Sequence, residues 1–266
     1  MPRLSDPNYL LTKQYPNAAN LQTRIGLHKK FSTNMIGWFP WMFDHFNLPP
    51  TSKILELGCG PGDLWLENMA RIPVGWQLTL SDFSPGMLEQ ARHNLHNQPH
   101  VFSCARIDAQ SIPHKENEFE AVIANHMLYH VPDRVSALSE IRRVLKPGGQ
   151  LYASTVGEGH MRELPILLHK FDPDLSIDFE NTILEFTLEN GRSQLEACFS
   201  NVTVYRYNDE LLITEASPLA DYVLSGSRLG VIPAVRDALI EYIAAELEQN
   251  HGLFRITKDS GIFITS

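Results

Sequence analysis

The 266-residue sequence predicts an α/β fold, a mainly parallel β-sheet with helices packed on both faces. Two patterns and the composition support this. Short apolar runs alternate with amphipathic stretches of helical period through the first part of the chain. The first clear run, Lys53 to Leu57, enters the glycine-rich turn Gly58-Cys59-Gly60-Pro61-Gly62, and helical patterning follows from Asp63 to Ala70. A 43% hydrophobic fraction over this length suits one large unit with a sizeable core.

Taken in order, Ile25 to Leu48 reads as helical and aromatic. Phe31, Met35, Trp38, Met42 and Phe46 recur three or four residues apart and should share a face, with Pro40 interrupting or restarting the helix. After the glycine turn, Gln77 to Leu80 reads as a second strand ending in Asp82-Phe83-Ser84-Pro85-Gly86-Met87. Ser84 is an N-cap with proline in the first turn, so a helix should run to about Leu95. Val101 to Arg106 and Phe119 to Ala124 are the third and fourth strands. Asp133 to Leu145 is an amphipathic helix, which Lys146-Pro147-Gly148-Gly149 stops and turns into a fifth strand, Gln150 to Ser154. The alternation then ceases. Gly157 to Phe199 and Ser217 to Asn250 are mostly helical in pattern and Val202 to Tyr207 is a strand. Phe254 to Lys258 and Gly261 to Thr265 read as a hairpin around Asp259-Ser260-Gly261.

Composition excludes several function classes. Net charge is −9 with a pI near 5.6, and no dense basic run offers a face to phosphates, so no nucleic-acid partner is expected. The 3 cysteines, Cys59, Cys104 and Cys198, are odd in number and widely spaced, which fits neither a disulfide framework nor a zinc site. Met1 to Pro7 lacks the form of a signal peptide and no apolar run reaches transmembrane length. A cytoplasmic protein without a membrane partner is the expectation.

The glycine turn marks a nucleotide-type site, because glycine allows a sharp turn and close approach of a ligand to the backbone. A dinucleotide fingerprint would place a third glycine or an alanine at position 63. Asp63 stands there, and its carboxylate would share one helix start with an incoming pyrophosphate. The spacing is instead Gly58-x-Gly60-x-Gly62 after the acidic Glu56. Asp82 follows about twenty positions on, placed to accept both ribose hydroxyls in one carboxylate fork. Ile107-Asp108-Ala109 comes after the third strand. At these residues the chain resembles the class I S-adenosylmethionine (SAM)-dependent methyltransferases that act on small molecules.

That resemblance implies a Rossmann-like, seven-stranded sheet ending in an antiparallel pair, where Val202 to Tyr207 and the terminal hairpin would fit. It implies a helical lid over residues 1–50, a SAM-binding core over 51–156, and over 157–266 the rest of the sheet with helical insertions capping the substrate, all in one folded unit. SAM would be the cofactor and S-adenosylhomocysteine (SAH) the product. Asp82 would hold the ribose, Asp108 the adenine amino group, and Ala109 would donate its N–H to the ring. Glu56, Gly58, Cys59, Gly60, Phe83, Met87 and Asn125 complete the expected cofactor contacts.

Asn125 to Asp133 follows the fourth strand, at the sheet edge where the sulfonium should lie. His126 and His130 are four apart and on a helical turn would share a face. His126 is a candidate general base with an imidazole near neutral pKa, and His160, after Gly157-Glu158-Gly159, is a second. Ubiquinone-type O-methyltransferases resemble this segment but carry glutamates where His126 and Tyr129 stand, so the hard oxygen ligands magnesium needs are missing and no metal is expected. Tyr9, Tyr15, His28 and His169 are further residues that could reach the pocket. The acceptor is expected to be a small organic molecule with an O, N, S or C nucleophile, walled by Trp38 and Tyr222, with Phe39, Phe171, Phe179, Phe186 and Leu224 as further wall candidates. A non-catalytic SAM-binding module and a nicotinamide-dependent dehydrogenase on a similar sheet are the alternatives. Monomer and homodimer both stay open.

Overall fold

Lys53–Leu57 forms β1 near the middle of a seven-stranded sheet. A strand covered on both faces must be apolar along its length, and Ile54, Leu55 and Leu57 are each fully buried. The computed structural model describes residues 5–173, 185–226 and 233–266. The remaining strands are β2 (Gln77–Asp82), β3 (Phe102–Arg106), β4 (Phe119–Asn125), β5 (Leu145–Val156), β6 (Val202–Ile213) and β7 (Phe254–Thr265). Their spatial order is β3-β2-β1-β4-β5-β7-β6. β1 to β5 pair in parallel, while β7 is antiparallel to both β5 and β6. The winding reverses between β1 and β4, and the crevice at the carboxyl ends of those strands is where such sheets bind ligands.

The helices are α1 (Ala19–Phe31), α2 (Trp38–Asp44), α3 (Asp63–Asn68), α4 (Pro85–Leu95), α5 (Arg134–Val144), α6 (Glu163–Phe171), α7 (Gly191–Glu196), α8 (Ala216–Ser225) and α9 (Pro233–Gln249). Two start where their caps dictate. Ser84 Oγ accepts from the Met87 N–H at 3.3 Å with Pro85 in the first turn, and Asp133 Oδ1 accepts from the Ser136 N–H at 3.0 Å. On one face of the sheet α5 packs Ala137, Leu138, Ile141 and Val144 against Leu55, Val122 and Leu151. On the other, α2, α3 and α4 bring Met42, Trp65 and Leu88 against Ile54, Leu80 and Ile123. A third core joins α1, α6, α8 and α9 to Leu211, Ile213 and Ile256. It forms where β6 and β7 run on beyond β5 and pair with each other alone.

Three local expectations are corrected. The terminal hairpin is one continuous strand, β7, paired along its whole length with a β6 that extends to Ile213. Gly261 is needed for close strand approach rather than for a turn, since a Cβ there would lie 2.5 Å from the Tyr205 carbonyl oxygen. The aromatic stripe is not one helix: it breaks at Ser32 and restarts at Trp38, so Pro40 belongs to a restart, one of its two expected roles. Asp209 pulls the chain out of helical register at the break, accepting from Ser32 Oγ at 2.7 Å and from the N–H groups of Thr33 and Asn34 at 3.0 Å. Pro40 sits in the first turn of α2, where its missing N–H leaves no gap, and Met35, 94% exposed, has left the stripe. Finally, β5 starts at Leu145 rather than Gln150, with a register shift against β4 that absorbs the Lys146–Gly149 segment.

Among the described residues no helix is long and apolar enough to cross a membrane, and no group of three or more His, Cys, Asp or Glu side chains could hold a metal ion.

Candidate functional site

A cavity of about 540 Å³ opens at the carboxyl ends of the parallel strands and has two chemically distinct halves. The acidic half begins at the glycine turn. Gly58, Gly60 and Gly62 have φ of +69°, +54° and +86°, left-handed values that other residues adopt at a cost. This folds the loop back over the end of β2, so that Gly60 N donates to Asp82 Oδ2 at 2.9 Å while Ser84 N donates to Oδ1 at 2.8 Å. Each Asp82 oxygen keeps a second lone pair for a ligand hydroxyl. Burial pushes this carboxyl up, and the backbone donors oppose the rise.

Glu56 is 1% exposed and accepts from Trp65 Nε1 at 2.6 Å. Burial nonetheless pushes its carboxyl up to about 8, with the charges of Asp82 and Asp63 adding to the effect. Asp63 is also raised by burial, against the pull of Lys29 and a 3.2 Å hydrogen bond from Gln22. Asp108 accepts from the Gln110 N–H at 2.9 Å beside the buried Ala109. Cys59, Phe83 and Met87 complete the lining, and the Cys59 thiol is raised by burial, as befits a small buried hydrophobe. Glu56, Asp63, Asp82 and Asp108 converge here, with Glu56 held as the protonated acid at pH 7. This acidic lining disfavours a pyrophosphate and suits a ligand that carries hydroxyls.

The aromatic half is assembled around Asn125. Its Oδ1 accepts from Trp38 Nε1 at 3.2 Å and from Ser154 Oγ at 2.6 Å, and Ser154 Oγ in turn accepts from the His126 N–H at 2.9 Å. His126 has φ +51°, a strained setting for a non-glycine residue, and its ring lies 4.9 Å from that of Trp38. Tyr207 stands edge-on to Trp38 at 5.4 Å. His126, at its left-handed backbone position, lies outside the short 3-10 turn Leu128–His130, and His130 Nε2 lies 3.2 Å from the Tyr15 hydroxyl. The two histidines therefore do not share a helical face as the spacing suggested.

His160 Nδ1 accepts from the Asp259 N–H at 3.2 Å, so its proton sits on Nε2 and that nitrogen is a donor. His28 lies between His160, at 6.1 Å, and Tyr222, at 5.8 Å between ring centroids. Burial first, and the Lys258 ammonium second, hold His126 at about 4 and His160 at about 3, and push His28 well below the ordinary imidazole value. The near-neutral pKa expected for His126 is thus corrected downward. All three rings are uncharged at pH 7.

Every cofactor candidate named from the sequence lines this cavity, as do Trp38, Tyr222, His126 and His160, and also Phe39, Tyr15 and His28. Phe171, Phe186 and Leu224 instead pack into the cores, Tyr9 and His169 lie off the cavity, and Phe179 falls outside the described residues. Sequence reasoning missed Arg24, Tyr207 and Lys258, which also line it. A signal for Lys258 was present. In Ile256-x-Lys258-x-Ser260-x-Ile262 the lysine occupies an inward position of a period-two strand, a pattern hidden by reading a turn at Asp259.

Residues 55–153 match the sequence profile of a family described as methyltransferase domain. The chain is 33% identical over 173 residues to an uncharacterized 37.1 kDa protein in transposon TN4556 of Streptomyces fradiae, covering 61% of this chain and 48% of that one. It is 36% identical over 106 residues to a ubiquinone biosynthesis O-methyltransferase of Xanthomonas oryzae pv. oryzae, covering 40% and 43%. The chain thus spans about half the length of the curated relatives it matches. The phosphoethanolamine N-methyltransferase 2 of Haemonchus contortus, solved with S-adenosyl-L-methionine, shares the fold with a TM-score of 0.59 at 19% identity, over 97% of this chain and 59% of that one.

Proposed function

We infer, from the match of residues 55–153 to a family described as methyltransferase domain, that the protein is a class I SAM-dependent methyltransferase and transfers a methyl group from SAM to an O, N, S or C nucleophile of a small organic acceptor. The carrying observation is the continuity of the two halves. A crevice lined by acidic side chains at the strand ends is continuous with an aromatic chamber in the same cavity, so cofactor and acceptor would lie side by side.

The acidic half fits the cofactor. Asp82 takes the ribose hydroxyls, Asp108 and Ala109 take the adenine, and Glu56 with the loop of Gly58, Cys59 and Gly60 takes the charged end, with Phe83, Met87 and Asn125 closing around it. SAM, when bound, supplies an electrophilic methyl group for in-line displacement. The chain supplies alignment and water exclusion. Trp38 and Tyr222 orient the acceptor. His126 is uncharged at working pH and can act as a weak base, its protonation opposed by burial and the Lys258 ammonium, while His160 presents its Nε2–H as a donor that orients an acceptor oxygen. Residues 7–28 line one side of the cavity, which supports a covering role for the N-terminal segment. The ubiquinone-biosynthesis relative makes hydroxylated rings the first acceptors to try.

The test has two readouts. SAH binding by calorimetry examines the cofactor half alone. Incubation with labelled SAM and a metabolite extract, followed by mass spectrometry of labelled products, examines turnover. Binding without any labelled product would favour a non-catalytic SAM-binding module.

A further inference from the structure

Lys258 stands on β7 directly opposite Asp209 on β6, and the pair is closed off from solvent. Nζ lies 2.6 Å from Oδ2, with the side chains 8% and 0% exposed. Asp209 is saturated with donors, since it also binds Ser32 Oγ and the N–H groups of Thr33 and Asn34. Lys258 is not. It lines the cavity, and among the described residues Asp209 is its one hydrogen-bond acceptor, which leaves two ammonium N–H groups for a ligand. A buried ammonium with donors to spare is stabilised by an anion and opposes a second cation.

The aromatic rings could suggest the opposite, a cage for an ammonium group. Two of their faces are already taken, however. The Lys258 Nζ lies 5.1 Å from the Tyr207 ring centroid, and the Arg24 guanidinium lies 5.7 Å from that of Tyr15. A cationic acceptor would enter against both charges, and the neighbouring imidazoles are uncharged and offer no counter-ion.

Resting on the methyl-transfer reading, we propose that the acceptor is a planar aromatic ring bearing an oxyanion, a carboxylate or phenolate, held by Lys258 with the ring among Trp38, Tyr207 and Tyr222. Lys258 is then the residue that sets acceptor charge. Three probes of nearly equal shape separate the possibilities: benzoate, benzamide and benzamidine are anionic, neutral and cationic. Each is titrated by calorimetry into the SAH complex of the full chain. Benzoate should bind at least tenfold tighter than benzamide, with benzamidine weakest. Lys258→Met should erase the benzoate preference and leave SAH affinity unchanged, while the wild-type ranking stands whether or not that variant folds. Benzamide or benzamidine matching benzoate, or none of the three binding while SAH does, overturns the proposal. Failure of SAH itself to bind overturns the methyl-transfer reading instead, and the same ranking on the free protein still decides the anion site.

Discussion

The acidic half of the cavity is made of strand ends and the few residues that follow each one: Glu56 to Gly60 at the end of β1, Asp82 to Ser84 at the end of β2, Asp108 to Gln110 beyond β3. The aromatic half draws on separate stretches of chain, with Arg24 and His28 from α1, Trp38 from α2, His126 beyond β4, His160 beyond β5, Tyr207 and Lys258 from the β6–β7 pair and Tyr222 from α8. The two also differ in charge. Carboxylates raised by burial line the first, and imidazoles lowered by burial beside an ammonium line the second. A half built from local loops can be altered by one backbone change. A half built from distant side chains should respond one group at a time.

The largest separation between them is expected from Gly60→Val. At φ +54° a β-branched residue is disfavoured, and its side chain would press on Leu21, 3.3 Å from an ideal Cβ. SAH binding should fall more than about 100-fold, and a folded variant with normal affinity would show that the loop is not the cofactor cradle. Next in size, His126→Asn should lower turnover about 10²-fold while SAH affinity holds, since asparagine tolerates the left-handed backbone but is no base. Wild-type kcat should fall as pH drops through about 4, where His126 protonates. An equal loss of SAH binding would mean that the halves are not separable.

Asp82→Ala comes third. With Asp82 proposed to hold the ribose, the change would remove hydrogen bonds of roughly 1.5–3 kcal/mol each and should weaken SAH at least about tenfold, with the benzoate affinity of the other half untouched. Calorimetry with both ligands reads this directly, and parallel losses would point to a general loosening of the fold.

The smallest effect is on stability, and it has opposite signs in the two halves. Glu56 has its folded pKa raised from 4.5 to about 8, so its contribution is complete below about 4.5 and is lost as pH rises to about 8. His126 and His160 are lowered from 6.5 to about 4 and about 3, so theirs is complete above about 6.5 and is lost as pH falls toward those values. Tm should therefore drop by a few °C on each side. Glu56→Gln should flatten the alkaline limb alone and His126→Asn the acid limb in part. A Glu56→Gln variant whose alkaline limb is unchanged would place that titration elsewhere.

How much of this was legible follows from the same division. The order of strands and helices through β4, the Ser84 cap, the glycine turn and the acidic residues at the ends of β1 and β2 and beyond β3 could all be read in the sequence. Each depends on neighbours within a few residues: an N-cap on the N–H three positions on, a left-handed glycine on its own missing Cβ. The terminal strand could not be read in this way. Asp259-Ser260-Gly261 has turn composition, and only the β6 backbone pressing on Gly261 decides that it is extended.

The break at Ser32 was hidden for a related reason, because the carboxylate that ends α1 belongs to Asp209, 177 residues further along the chain. The same tertiary pairing closes Lys258 against Asp209 and brings it beside Tyr207, and burial there lowers His126 and His160. By itself, then, the sequence determined the sheet core and the cofactor chemistry, since both rest on short-range stereochemistry. The charge state and shape of the acceptor chamber were decided by the tertiary structure, because desolvation and cross-strand ion pairing exist only once distant segments have closed on one another.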